Sequence, residues 1–394
     1  MADGMRGRDA LRSGLGTREY PSSGSYVTAL WTPPSRRGAM ETSGMAVDPP
    51  VAARQPGGGQ EAQLMSRATA ATYYEDSYAH YGIHEEMLKD TVRTRTYQRA
   101  ICDNAFLFRD KVVLDVGCGT GILSLFAVKA GARHVYAVDA SDIADLATTI
   151  VQLNGFSDRI TVIKRKVEEV QLPVDKVDII ISEWMGYFLL YESMLNTVLY
   201  ARDKWLVPGG LIFPDSCGLY VCAIEDAQWR ADKLDYWSDV YGFDFSPVRH
   251  LALEEPLVDV VSPDQVVTPS VCIKRLDITT MRAEDACIDE RFVLKANRAD
   301  FVHALVVYFD AHFSACHKKL SFSTGPRDKE THWKQAVLYL PDDSVPLCAG
   351  EELHCRLTCA PNASNPRDLD ISLEYSVDGK RCSLAERKQS YRMR

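Results

Sequence analysis

The segment Val112-Val113-Leu114-Asp115-Val116-Gly117-Cys118-Gly119-Thr120-Gly121 constrains this chain more than any other. Five strand-forming residues run into three alternate glycines, and the apolar stretch Ile122 to Ala130 follows with helical character. Glycine there lets the chain turn tightly and brings bare backbone and helix N–H groups to one point, where a ligand can approach. The same alternation continues through His134 to Asp139, Ile143 to Asn154, Ile160 to Lys164, Val177 to Ser182 and Met194 to Trp205. Strands and helices in turn predict an α/β domain with a parallel sheet.

A single helix from about Ile83 to Asn104 is expected ahead of the first strand. After Pro208-Gly209-Gly210 and the strand Leu211 to Pro214, the character changes to β-rich runs such as Val302 to Phe309, Ala336 to Leu340 and His354 to Cys359. A second, mainly antiparallel β domain fits them. Residues 1–72 carry ten Gly and six Pro without hydrophobic periodicity and read as a disordered tail. The expected division is therefore a tail at 1–72, an α/β domain at 73–214 and a β domain at 215–394. Within the latter, residues 226–249 cluster Trp229, Tyr236, Trp237, Tyr241, Phe243 and Phe245 among charges. Two readings fit them, a local core or an exposed self-association arm.

No stretch reaches the roughly 18 consecutive apolar residues of a membrane-spanning helix, so no membrane association is expected. The eleven cysteines form no CxxC pair and no signal peptide opens the chain, which points to a reducing compartment, cytoplasm or nucleus. His354, Cys355 and Cys359 make a poor zinc set, and no metal is expected. Residues 1–72 hold 8 Lys/Arg and 6 Asp/Glu, leaving 37 against 48 in the rest. An acidic folded part repels nucleic acid and attracts cationic partners, although surplus acid also serves solubility alone.

Asp139 lies 20 residues past Gly119, at the end of the second strand, where a carboxylate accepts from a ribose diol. The dinucleotide fingerprint would need glycine at 122, where Ile122 stands. Asp115 before the glycines and Asp139 closing the next strand resemble instead the class I S-adenosylmethionine-dependent methyltransferases.

A second constellation follows the strand Val177 to Ile181, where Ser182-Glu183-Trp184-Met185-Gly186-Tyr187 is succeeded by Glu192, nine residues beyond Glu183. Carboxylates at the carboxyl ends of parallel strands stand where such sheets bind ligands. Among Trp184, Tyr187, Phe188, Leu189, Leu190 and Tyr191 they are costly unless a cation pairs with them.

With this loop, Thr331-His332-Trp333 and Tyr73-Tyr74-Glu75-Asp76-Ser77-Tyr78, the sequence from Tyr73 to Arg394 resembles the type I protein arginine methyltransferases. The resemblance implies a Rossmann-like domain, a β-barrel domain, a homodimer through an inserted helical arm, and S-adenosylmethionine as cofactor. It implies Arg/Gly-rich protein substrates, including histones and RNA-binding proteins. It places His84, Arg93, Asp115, Gly117, Gly119, Asp139 and Glu168 around the cofactor, with Asp115 expected to steady the glycine loop. Glu183 and Glu192 become a clamp for the substrate guanidinium, and Tyr74, Tyr78, Met87, Met194 and Trp333 surround the substrate. His332 with Asp90 is open to two readings, a proton relay or a structural pair.

The methionines Met87 and Met194 and the form of the histidine loop imply asymmetric dimethylarginine as product. Two rival classes stay in view: a methyltransferase for a non-protein substrate, which has no use for two glutamates, and a non-catalytic arginine-binding scaffold, which predicts a lost site residue where none is lost.

Overall fold

A computed structural model describes residues 78, 80–342 and 344–394; the predicted tail and Tyr74 lie outside the described residues. Helices α1 (Tyr81–Lys89), α2 (Thr91–Cys102) and α3 (Ala105–Phe108) precede β1 (Val112–Val116). Then come α4 (Ile122–Lys129), β2 (His134–Asp139), α5 (Ile143–Leu153), β3 (Ile160–Lys164), β4 (Val177–Ser182), α6 (Met194–Trp205) and β5 (Leu206–Phe213). The strands form a parallel sheet in the order β3-β2-β1-β4-β5. β1 sits in the middle and is buried along its whole length, so its carboxyl end opens at the centre of the sheet, beside that of β4.

The single helix expected over 83–104 is two helices. Asp90 leaves the helical region (φ −64°, ψ 96°), and its side chain caps α2 by accepting from the Arg93 N–H at 3.0 Å. A carboxylate that bonds its own backbone three residues on competes with helix continuation, and residue composition alone concealed that break. β5 also begins earlier than expected, at Leu206, with a register shift against β4 absorbing the Pro-Gly-Gly segment.

Beyond Phe213 the sheets are antiparallel. β6 (Ser216–Ile224) and β11 (Ala304–Phe313) are the centre of one, flanked by β7 (Leu257–Asp259), β8 (Val271–Asp277), β12 (Leu320–Ser323) and β13 (Gln335–Tyr339). β9 (Ile288–Lys295), β15 (Glu352–Pro361), β16 (Leu369–Asp378) and β17 (Ser383–Met393) form a second, and β10 (Asp300–Val302) pairs with β14 (Val345–Leu347). Inward residues alternate along β16, as Leu369, Ile371, Leu373, Tyr375 and Val377. One continuous apolar core runs from the parallel sheet into these strands, with Tyr97 of α2 packed edge-on against Phe313 at 5.0 Å.

Between β6 and β7 the chain makes the aromatic excursion, through α7 (Ala227–Lys233) and α8 (Ser246–Glu254), somewhat longer than the expected 226–249. Its aromatics are not core: Trp229, Tyr236, Phe243 and Phe245 are exposed, and Tyr241 is 92% exposed.

Candidate active site

A cleft of about 810 Å³ opens at the carboxyl ends of β1, β2 and β4, walled by α1, the start of α6 and loops from the antiparallel half. Its inner end is the glycine loop. Gly117 has φ +73°, and a Cβ there would stand 2.1 Å from Met194 Cε. Only a bare α-carbon allows that turn and that contact together. The Gly119 N–H donates to Asp139 Oδ2 at 2.9 Å, while Asp139 Oδ1 accepts from the Ser141 N–H and hydroxyl at 2.9 and 2.7 Å. Asp139 thus ties the glycine loop to the turn after β2, and Oδ2 keeps a lone pair for a hydroxyl facing the cleft.

His84 is buried on α1 with its ring against Gly119, and its Nε2 is 2.8 Å from the Tyr78 carbonyl. Glu168 lies on a 3-10 turn, its Oε1 accepting from Thr197 of α6 at 2.9 Å. A bare-backbone cradle with one carboxylate at each side fits a nucleoside with a free diol, and Arg93 at the cleft supplies a cation for a carboxylate tail. Asp115 departs from the expected set of cofactor contacts. It is 0% exposed, does not line the cleft, and accepts from Ser124 of α4 at 2.7 Å. Burial pushes its carboxyl up to about 7, against the lowering by that hydrogen bond. Its partner Ser124 stands on α4, the helix that the glycine loop leads into.

The outer end is built around Glu183 and Glu192. Glu183 follows β4, whose end is fixed because the buried Tyr97 hydroxyl donates to the Ser182 carbonyl at 2.8 Å. Its Oε2 accepts from Arg93 Nε at 2.8 Å in a pair whose side chains are only 8% and 7% exposed. Arg93 NH1 in turn donates to the Met87 carbonyl at 3.1 Å. A carboxylate so buried demands a cation, and Arg93 is the one this fold provides.

Between the glutamates the backbone doubles back. Phe188, Leu189, Glu192 and Ser193 all have positive φ, from 56° to 75°, a strain of order 1–3 kcal/mol each for non-glycine residues. Neighbours hold it in place. Phe188 and Leu189 are buried, the Gly186 N–H donates to the Leu189 carbonyl at 3.1 Å, and a Cβ on Gly186 would stand 2.1 Å from the Tyr191 carbonyl oxygen. Trp333 Nε1 donates to the Met185 carbonyl at 2.7 Å, with the indole stacked on Phe322. Trp333 is 4% exposed, and it lines the cleft while bracing the loop from beneath.

Glu192 Oε2 accepts from the Tyr78 hydroxyl at 2.8 Å. Burial pushes Glu192 up to about 6, with Tyr78 and Arg367 working the other way and Glu183 adding to the rise. His332 Nδ1 lies 2.8 Å from Asp90 Oδ2, and the His332 N–H donates to the same oxygen at 3.0 Å. Burial would raise Asp90, but its hydrogen bonds from His332 and Arg93 hold it below the usual carboxylate value. Met87 and Met194 both line the cleft, as do Tyr78, Tyr187 and His332. The helix break at Asp90 is what lets one side chain cap α2 and face His332.

Sequence reasoning missed the segment 362–368. Ser364, Asn365, Pro366 and Arg367 wall the outer end of the cleft. The Asn-Ala-Ser-Asn-Pro-Arg run signals a turn, but no local feature announces that it meets Glu192, 175 residues earlier.

Residues 215–380 match the family described as the arginine methyltransferase oligomerization subdomain, and residues 101–204 match ribosomal protein L11 methyltransferase (PrmA). The chain is 57% identical over 338 residues to probable protein arginine N-methyltransferase 1.2 of Arabidopsis thaliana, covering 86% of this chain and 92% of that one. It is 59% identical over 326 residues to protein arginine N-methyltransferase 1 of Chlamydomonas reinhardtii, covering 83% and 94%. Among solved structures, the Trypanosoma brucei PRMT1 enzyme-prozyme heterotetrameric complex with AdoHcy superposes with a TM-score of 0.79 at 51% identity, covering 81% of this chain and 100% of that chain. Arabidopsis thaliana protein arginine methyltransferase 10 superposes at 0.73 with 28% identity, covering 81% and 99%. With relatives this similar along nearly their whole length, the chain belongs to the protein arginine N-methyltransferases, as a type I enzyme that uses S-adenosylmethionine and acts on arginine in Arg/Gly-rich proteins.

Proposed function

We propose that Glu183 and Glu192 together receive the substrate guanidinium, and that His84, Arg93, Gly117, Gly119, Asp139 and Glu168 hold the cofactor at the inner end of the same cleft. The observation that carries this reading is the convergence of two carboxylates, from either side of a strained loop, beside a buried arginine in one cleft. When bound, S-adenosylmethionine supplies a methyl group made electrophilic by its sulfonium. The remaining work falls to this chain. Arginine carries a delocalised positive charge at any physiological pH, so its nitrogen is a poor nucleophile. Two carboxylates fix the charge on the far side of the guanidinium and orient the near nitrogen, contributing proximity and electrostatic alignment. Arg93 keeps Glu183 in place before substrate arrives. His332, with ionised Asp90 behind Nδ1, is oriented to take up the proton that the product sheds.

Met87 and Met194 narrow the cleft around the reacting nitrogen, which supports return of the same nitrogen for a second methyl and an asymmetric product. Tyr78 completes the substrate wall, and the motif of the family makes Tyr74 a further substrate-binding residue. On this reading 73–214 carries the cofactor residues and both glutamates, and 215–394 supplies His332, Trp333 and the segment that braces Glu192. The exposed aromatics of the 226–254 excursion support a homodimer formed through that arm. Histone tails and RNA-binding proteins rich in Arg and Gly are the substrates proposed. Eleven thiols without a disulfide support residence in cytoplasm and nucleus.

The test is incubation with methyl-labelled S-adenosylmethionine and an Arg/Gly-rich peptide beside its Lys-substituted version. Label on the arginine peptide alone is expected; label on the lysine peptide alone would reject the clamp.

A further inference from the structure

Glu192 and Ser193 are consecutive non-glycine residues in the left-handed region, with φ 75° and 57°. What holds them comes from the other half of the molecule. The Glu192 N–H donates to the Arg367 carbonyl at 2.9 Å, Arg367 NH1 donates to the Glu192 carbonyl at 2.9 Å, and the Ser193 hydroxyl donates to the Pro366 carbonyl. A reciprocal pair of bonds to one residue fixes both its peptide planes. The clamping segment is itself tied down. Asn362 Oδ1 accepts from the Ser364 and Asn365 N–H groups at 2.9 Å each, Asn362 Nδ2 donates to Asp370 Oδ2 at 2.7 Å, and Asn365 Nδ2 donates to Asp368 Oδ1 at 2.7 Å. The segment runs directly into β16, so the antiparallel sheet is the ground to which Glu192 is anchored.

We propose that Arg367 is a positioning residue for methyl transfer: it holds Glu192 in the left-handed geometry that aims its carboxylate into the cleft and lends that carboxylate a positive charge. The inference rests on the reading of Glu192 as a substrate-binding acid. The charged and titratable groups facing Glu192 are Tyr78 from the amino-terminal segment, Glu183 at the end of β4, Arg367 from the segment before β16, and Tyr187 in its own loop. Of these Arg367 is the cation, working against burial and the like charge of Glu183. The half of the enzyme remote from the cofactor thereby fixes the direction of one catalytic acid and, with Tyr78, opposes the rise that burial imposes on it.

Two conservative replacements separate the roles. Arg367→Gln keeps a donor for the Glu192 carbonyl and removes the charge, whereas Arg367→Lys keeps the charge and loses the planar fork. The full-length enzyme and each variant are assayed for kcat/KM on an Arg/Gly-rich peptide across pH, with cofactor Kd and Tm alongside. Arg367→Gln should move the acidic limb of the profile upward by about half a pH unit or more and so lower kcat/KM about threefold or more on that limb, with cofactor Kd within about twofold of wild type. Arg367→Lys should leave the limb in place while lowering the plateau. A limb that stays at its wild-type position in Arg367→Gln overturns the proposal, even if the plateau falls, because a merely structural support would lower the plateau alone. Should the Gln variant fail to fold, the Lys variant decides, and a displaced limb or an unchanged plateau there overturns it. Glu192→Gln is the control: if it turns over normally the site reading itself fails, whereas its inactivity beside an unshifted Arg367→Gln profile sinks only the inference.

Discussion

The two ends of the cleft are made in opposite ways. The proposed cofactor end comes largely from one contiguous stretch, β1, the glycine loop, α4 and β2, in which strand, turn and helix geometry follow from local residue choice. The proposed substrate end is assembled from Tyr78, Asp90 and Arg93, the loop 183–193, His332 and Trp333, and the segment 364–367, drawn from both halves of the molecule. Its backbone is strained at four non-glycine positions, and its charges are buried and paired across nearly a hundred residues or more, as in Arg93 with Glu183 and Asp90 with His332. A site that only positions a ready-made cofactor can be local. A site that must hold two carboxylates apart for a cation needs several elements to brace each one.

If that contrast is right, the substrate end should depend on the whole assembly. The largest effect is expected from replacing residues 226–254 with a short linker. The variant should sediment as a monomer and lose essentially all turnover, since the exposed aromatics there are the proposed dimer surface. An active monomer would confine the site to one chain.

The cofactor end should break by local change alone. Gly117→Ala places a methyl group in a left-handed conformation and against Met194. The strain of roughly 1–2 kcal/mol should weaken cofactor binding about tenfold or more by calorimetry, with Tm little altered. Unchanged affinity would mean that the loop does not cradle the cofactor.

The same contrast explains what was legible in the sequence. The parallel sheet, the strands Ile160 to Lys164 and Val177 to Ser182, the glycine loop and both glutamates could be read because each is announced by its neighbours. The break at Asp90 could not, because it depends on a side chain choosing its own backbone and His332 over helix continuation. Asp115 carries the right motif, yet burial takes it out of the cleft and pairs it with Ser124, whereas Trp333 both lines the cleft and braces its loop. Arg367 was invisible for the opposite reason, as its partner lies in a loop 175 residues earlier in the chain.

A smaller effect is expected from pH. Glu192 is raised to about 6 by burial, and only its ionised form binds a cation. The kcat/KM for the wild-type enzyme should therefore fall as pH drops through about 6. The limb of kcat should lie lower, because a bound guanidinium favours the ionised acid. A profile flat down to pH 5 would show that Glu192 is ionised more easily than its surroundings imply. The smallest effect is that of salt. The KM for a cationic peptide should rise about two- to fivefold between roughly 50 and 300 mM salt, while cofactor Kd changes much less, because the acidic surface attracts a peptide of many positive charges far more than a cofactor with one net positive charge.

The clamp is tested most directly by Glu183→Gln, with turnover and cofactor affinity measured on the same preparation. The amide keeps the shape and an acceptor for Arg93 but loses the charge that holds the substrate. Loss of one charge-assisted pair, about 1.5–3 kcal/mol, predicts more than a tenfold fall in kcat/KM for the arginine peptide, with cofactor Kd within about threefold of wild type. A variant that retained more than about a tenth of the wild-type rate by that reckoning, or that lost cofactor binding in step with turnover, would contradict the account.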